Sequence, residues 1–322
     1  MAAAPDSPTL RVRDLREVPS SELSPLLDEE REAWRRDLDW DFRASADLVR
    51  RFVHMQALTG FALVSGDEPA GYSYYVCEER KGLIGDLYVR GRYRTVESEN
   101  LLLGAVVDAL MSLPGVRRIE SQLMVLGEDW NRPLPRAHRV QAFPRLFLQA
   151  PLEYARALPA RPPKRPARFE VWSERRQEDA AGIIAEAYEG HVDSLINDQY
   201  RSVSGARRFL LNIVQYPGCG GFFFPASFVS VDPESGHARG ICLSSLVSED
   251  VGHITQICVT PDVAGMGIGY ELLRRSMVAL AQAGCRAVSL TVTAANDTAI
   301  ALYRRVGFAE RRRFAAYVWE GF

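Results

Sequence analysis

The sequence predicts an α/β protein of two tandem domains, each a mixed, largely antiparallel central sheet flanked by helices. Three observations predict it. The chain has 322 residues, enough for two domains of roughly 150 residues each. Short apolar runs of strand length alternate with longer segments of helical period. The stretch RALPARPPKRPAR at 156–168 carries four prolines and no hydrophobic period, so it reads as a linker. It divides the chain into domains expected at 8–155 and 169–322.

The second half reads element by element. A short strand falls near Phe169–Trp172, and a helix at Gln177–Tyr188 places Ile183, Ile184 and Ala187 on one face. A further helix spans Gly205–Val214. Strands Ser227–Val231 and Gly240–Val247 flank DPESGH, a turn sequence that joins them as a hairpin. The strand His253–Val259 follows, then a glycine-rich turn and a long helix ending near Gly284. AVSLTV (Ala287–Val292) is a buried strand, Asp297–Arg305 a helix and Arg313–Trp319 a last strand.

The first half repeats this order. FALV (Phe61–Val64) and GYSYYV (Gly71–Val76) flank a turn, LIGDLYV (Leu83–Val89) follows, and a helix covers Val96–Leu110. DLYV ends at Val89 and QICV at Val259, an offset of 170 residues. A repeat of domain size indicates a duplicated domain and not a solenoid.

Composition removes several classes. Net charge is −2, which gives no overall electrostatic case for nucleic-acid or membrane binding. No apolar run approaches the roughly 20 residues that span a bilayer. The N-terminus lacks the basic and apolar regions of a signal peptide, so a cytoplasmic location is expected. Cys77, Cys219, Cys242, Cys258 and Cys285 are scattered singly, without metal-ligand spacing, and read as buried free thiols; no metal is expected.

The segment VTPDVAGMGIGYELL (Val259–Leu273) carries the chemistry. Gly265, Gly267 and Gly269 lie between a strand and a helix. Glycine lets a backbone turn tightly and approach a ligand closely, and the first N–H groups of a helix lack internal partners and face anions. The loop therefore reads as a pyrophosphate cradle. It is not a P-loop, because Ile268, Gly269 and Tyr270 stand where GK[ST] is needed, and GxGxxG fails in both registers.

Farther on, NDTAIALYRRVGF runs from Asn296 to Phe308. Strand–GxGxG–helix–strand–Asn–helix–Tyr–GF resembles the GNAT superfamily of N-acetyltransferases, over about Gly240–Phe308. The resemblance implies acetyl-CoA as co-substrate and transfer of its acyl group to an amine, with a small-molecule amine the expected acceptor. Ile257, Cys258 and Val259 would present backbone groups to the pantetheine arm, one N–H polarising the thioester carbonyl. Ala264, Gly265, Met266, Gly267, Ile268 and Gly269 would hold the pyrophosphate; the family usually has Arg or Gln where Ala264 stands. Asn296 would bond the pantetheine, and Tyr303, two helical turns on, would protonate the departing thiolate.

The amine must attack uncharged, so Glu249, Asp250 and His253 are candidate bases, with Glu249 and His253 preferred. His191, Asp193 and Asp198 are candidate acceptor contacts. The first half should be a degenerate copy: Arg94, Thr95, Glu97 and Glu99 stand 170 residues before Ala264, Gly265, Gly267 and Gly269. Two carboxylates there repel phosphate. Trp34, Trp40 and Tyr93 could line an acceptor pocket in that half. Other readings are a non-catalytic acyl-CoA-binding or partner-binding module, a protein N-acetyltransferase, and a mycothiol-synthase-like enzyme. Oligomeric state is not legible.

Overall fold

A computed structural model describes residues 9–127, 129–216, 218 and 220–322. Residue 8, where the first domain was expected to begin, and Cys219 lie outside them. In chain order the elements are β1 (Leu10–Asp14), α1 (Ser20–Leu38), α2 (Arg43–His54), β2 (Gly60–Ser65), β3 (Glu68–Glu78), β4 (Lys81–Val89), α3 (Val96–Ser112), β5 (Arg118–Gln122) and β6 (Val140–Pro151). There follow β7 (Arg168–Val171), α4 (Gln177–Ala187), α5 (Asp193–Ile196), α6 (Val203–Gln215), β8 (Gly221–Phe222), β9 (Phe228–Val231) and β10 (Ala238–Ser248). The chain closes with β11 (Val251–Val259), α7 (Ile268–Gln282), β12 (Ala287–Thr293), α8 (Asp297–Arg305) and β13 (Ala309–Glu320). The mixed, mostly antiparallel sheets expected from the alternating pattern are present.

The chain forms two compact units, one of residues 1–37, 42–144 and 314–322, the other of 38–41 and 145–313. In the first, strands run β1-β2-β3-β4-β5-β13, antiparallel except for the β4/β5 pair. In the second they run β7-β9-β10-β11-β12-β6, antiparallel except for β11/β12, with β8 also on β10. The two plans are the same, and the duplicated order is matched down to the one parallel pair.

The units trade their last strands. Arg145–Pro151 of β6, which precedes the linker, pairs with β12, whereas Ala316–Glu320 of β13 pairs with β5. The units therefore do not divide at 156–168, where the sequence suggests a boundary. Composition marks where a chain is irregular, but strand partners are chosen by register and burial, which linker composition does not encode.

Each unit has its own core. In the first, Leu102, Leu103, Val106, Val107 and Leu110 of α3 pack on Val89, Ile119 and Trp319; in the second, Trp172, Ile184 and Leu210 pack on Val229, Ile241 and Leu243. Burying one such side chain contributes about 1.5–3 kcal/mol. Cys242 and Cys285 are buried, but Cys77 is exposed, contrary to the expectation of buried thiols. Val76 and Cys77 lie on opposite faces of β3, and both are exposed because the strand runs out of the core near its end. Among the described residues no helix is long and apolar enough to cross a membrane.

Candidate functional site

The site begins where two parallel strands part. β11 pairs with β12 only from Val251 to Ile254, opposite Ala287 to Leu290. Beyond that point β11 keeps its β10 partners, as far as Val259 opposite Gly240, but has none on its other side. A β-bulge between the Ile254 and Gln256 pairs bends the strand at the fork. Ile257, Cys258 and Val259 thus offer backbone groups to an open wedge. A groove of about 480 Å³ fills it, lined by these three residues, by Ala264, Gly265, Gly267, Gly269 and Tyr270, and by Asn296, Thr298, Leu302, Tyr303 and Arg305 of α8 and its cap.

The glycine loop opens onto this groove through backbone alone. Gly265 has φ +72° and Gly267, the N-cap of α7, has φ +90°, conformations that L side chains rarely adopt. No side chain caps α7, so its first N–H groups remain available to an anion. A Cβ at Gly269 would meet no protein atom nearer than 3.9 Å, so its lack of a side chain leaves room for a ligand. Ala264 lines the groove, but Met266 and Ile268 do not. The Ile268 side chain is buried, and the Met266 carbonyl accepts the backbone N–H of Lys164 at 2.9 Å. The Ile268 side chain and the Met266 carbonyl belong to the loop's support.

Asn296 caps α8, its Oδ1 accepting the Ala299 N–H at 3.1 Å. Its Nδ2 is 3.3 Å from His191 Nε2. Tyr303, in the last turn of α8, is buried against Phe308, with ring centroids 5.8 Å apart. Burial raises its phenol pKa well above the usual value, with further upward influence from Cys242, Asp193 and Cys258. The hydroxyl therefore keeps its proton at neutral pH. Burial likewise pushes the Cys258 thiol up to about 12, which denies it the thiolate form of a nucleophile.

The two preferred bases lie elsewhere. His253 sits five residues before Cys258, about 17 Å along the strand. It is 5% exposed, wedged between the Trp40 and Phe147 rings, and its Nδ1 is 2.9 Å from Ser289 Oγ. Burial lowers its pKa to about 3. Glu249 occupies the β10–β11 turn, at the same far end, and Asp250 beside it binds Arg286 at 2.7 Å. The sequence placed all three at the entry of the right strand, but the wedge opens at its exit.

Polar side chains do gather at the exit. His191 Nδ1 accepts the Asp193 N–H at 3.1 Å, and Asp193 accepts from Thr293 Oγ1 and pairs with Arg145 at 3.4 Å. Gln256 donates to Tyr188 Oη at 3.0 Å, and Tyr188 stacks on Tyr200 at 4.5 Å. Of the candidate acceptor contacts, His191 and Asp193 stand here, next to the groove residue Asn296, whereas Asp198 lies in the turn Asp198–Arg201; none of the three lines the groove itself. Sequence reasoning missed Tyr270, Thr298, Leu302 and Arg305. The spacing of the last three, four and then three residues, marks one face of a helix and could have found them.

The corresponding place in the first unit differs. β4 also leaves β5 after Ile84, so the fork is repeated. There, however, Thr95 and Ser98 form a capping box that satisfies the α3 N-terminus. Glu99 is buried with Arg132 at 2.6 Å, and Leu123, Leu126, Trp130 and Leu134 join the core. Trp34 stacks on Phe42 at 4.7 Å, and the Tyr93 hydroxyl binds Glu68 at 3.0 Å. Trp40 belongs to the second unit, against His253.

Comparison with known proteins agrees with this geometry. Residues 192–308 match the model of the acetyltransferase (GNAT) family. N-alpha-acetyltransferase MAK3 of Arabidopsis thaliana is 36% identical over 70 residues, 22% of this chain and 37% of that protein. A mycothiol acetyltransferase of Arthrobacter sp. (strain FB24) is 37% identical over 93 residues, 27% of this chain and 28% of that protein. The chain thus spans under two fifths of these relatives' lengths. A solved tandem GNAT protein from the clavulanic acid biosynthesis pathway superposes with a TM-score of 0.60 at 14% identity, covering 97% of this chain and 98% of that one. A forked parallel pair, an uncapped glycine-loop helix and the family match over 192–308 lead to one assignment: residues 192–308 carry the GNAT acetyltransferase signature, in a chain with the tandem form of that fold.

Proposed function

We propose that the second unit is an acyl-CoA-dependent N-acetyltransferase acting by direct attack of a neutral amine, and that the first unit is a copy without a nucleotide site. The observation that carries the reading is one groove joining three things: the unpaired edge of Ile257–Val259, the uncapped α7 N-terminus and the Tyr303 hydroxyl. Acetyl-CoA fits the groove chemically, its pyrophosphate on the glycine loop and its extended arm along the strand edge; when bound it supplies an activated thioester.

The roles of the chain's own residues follow. A backbone N–H of Ile257–Val259 polarises the acyl carbonyl as negative charge develops on its oxygen. Tyr303, held protonated by burial, gives its proton to the sulfur as the C–S bond breaks. His191, beside Asn296 and backed by Asp193, takes the proton of the attacking amine, replacing Glu249 and His253 in that role. Cys258 stays a thiol, and no acyl-enzyme forms on it.

A small amine remains the acceptor we favour. The partial match to mycothiol acetyltransferases supports an amino-sugar conjugate as a second reading, and the match to an N-alpha-acetyltransferase supports a peptide N-terminus. The self-capped α3 and the buried Glu99–Arg132 pair support a silent first unit.

Calorimetric titration with acetyl-CoA tests the reading. One site per chain, abolished by Gly267→Asp, is expected. Two sites would overturn the silent first unit, and no binding would overturn the enzyme reading.

A further inference from the structure

The segment expected to be a plain linker lies against the glycine loop. Besides the Lys164–Met266 bond, the Tyr270 hydroxyl donates to the Pro159 carbonyl at 2.7 Å. Against the opposing effect of burial, the backbone N–H of Arg161 helps hold the Glu271 carboxylate below its usual pKa, after the larger influence of Arg274 and Arg275. Arg165 reaches Asp262 and Asp232, each at 3.0 Å. Prolines at 162, 163 and 166 restrict the chain between these anchors. The segment is thereby a fixed wall of the second unit and not a loose tether.

This wall sets two cations on one ring. The Arg161 guanidinium stands 5.2 Å from the centre of Tyr270, and that of Arg305 stands 5.5 Å from the same centre. Tyr270 and Arg305 line the groove at its glycine-loop end. Both arginines are solvent-exposed, and among the described residues neither has a carboxylate within ion-pair distance. Their basic neighbours are each ion-paired: Arg165 with Asp232 and Asp262, Arg239 also with Asp262, and Arg274 and Arg275 with Glu271. Two uncompensated like charges sharing one ring are best relieved by an anion that both can bond.

We propose that Arg161 of the linker and Arg305 of α8 form a phosphomonoester site for the nucleotide end of the acyl donor. The inference rests on the acyl-CoA reading and extends it to specificity. The pyrophosphate is provided for by the loop's backbone, so the remaining anion is the ribose phosphate. It carries a charge of about −1.5 to −2 and three acceptor oxygens, which suit two guanidinium forks. Ala264 gives the loop no side-chain contact, so these arginines supply the charged grip that the backbone lacks. The linker sequence thus forms part of the donor site.

The test compares CoA with dephospho-CoA, which lacks only that phosphate, by calorimetry on the full chain. The wild type should bind CoA about 10-fold or more tighter, the equivalent of one good charge-assisted contact. In Arg161→Ala/Arg305→Ala the ratio should fall to near one, with dephospho-CoA affinity unchanged. That last readout separates loss of a phosphate contact from damage to the loop. Equal affinities in the wild type, or a preference that survives the double substitution, would overturn the phosphate site while leaving the acyl-CoA reading standing. No binding of either molecule would overturn both.

Discussion

Nε2 of His191 lies 3.3 Å from Nδ2 of Asn296, while Nδ1 of the same ring accepts the Asp193 N–H. Both ring nitrogens thus face donors. A neutral imidazole satisfies one of them and leaves the other nitrogen to exchange partners, and a second ring proton would meet a donor on either side. In the proposed role of base, His191 can take a proton only once the acceptor amine displaces one of these contacts.

We expect His191→Ala to lower kcat about 10²-fold with the best amine of a panel, without changing acetyl-CoA affinity. Glu249→Gln should leave the rate within about twofold, and the pH profile of the wild type should survive His253→Gln. A pH profile that shifts with His253 and not with His191 would return the base to the far end of β11.

Tyr303→Phe should reduce turnover about 10²- to 10³-fold with donor affinity intact. Because burial raises the phenol pKa, the wild-type rate should show no loss from tyrosine ionisation up to about pH 9. An unaltered rate in the Phe variant would remove Tyr303 from the mechanism and favour a non-catalytic acyl-CoA-binding module.

The first unit contains a buried carboxyl pair. Glu30 is fully buried and accepts the Tyr72 hydroxyl at 2.9 Å, and Asp86 lies beside it. Burial, then the neighbouring Asp86, raises Glu30, and burial raises Asp86 to about 6. A carboxyl whose folded pKa is raised stabilises the fold in full below its unfolded value, near 4, and this contribution is lost as pH rises through the folded value. For Asp86 the window is about pH 4 to 6. Glu30→Gln should therefore gain stability over wild type as pH goes from 4 to 8. Thermal denaturation at both pH values reads this; a difference independent of pH would show that the pair does not share a proton.

The exchanged strands make a prediction about truncation. A fragment 156–322 lacks Arg145–Pro151, the partners of all seven β12 residues from Ala287 to Thr293. Its central sheet ends on an exposed, apolar edge. Circular dichroism and size exclusion should show an unfolded or aggregated fragment, whereas a fragment starting at 140 should recover β6 and gain in solubility. A monomeric, cooperatively folding 156–322 fragment would contradict the strand exchange.

Local signals in the sequence carried most of the second unit. Alternating and helical periods placed β9 to β12 and α7 and α8, because those patterns arise from which faces are buried. The glycine loop was legible because the positive φ of residues 265 and 267, +72° and +90°, strongly favours glycine. What the sequence by itself determined is thus the order of elements, the duplicated plan and the glycine turn between β11 and α7. The tertiary structure alone decided three matters. The fork between β11 and β12 opens the groove at the Ile257–Val259 end of the strand, away from His253. Strand register across the sheets gives β6 to one unit and β13 to the other. The docking of Pro159–Arg165 sets a linker firmly against the glycine loop. Each depends on contacts between segments distant in sequence, whose partners are selected by packing and hydrogen-bond register, and no local pattern of residues records that choice.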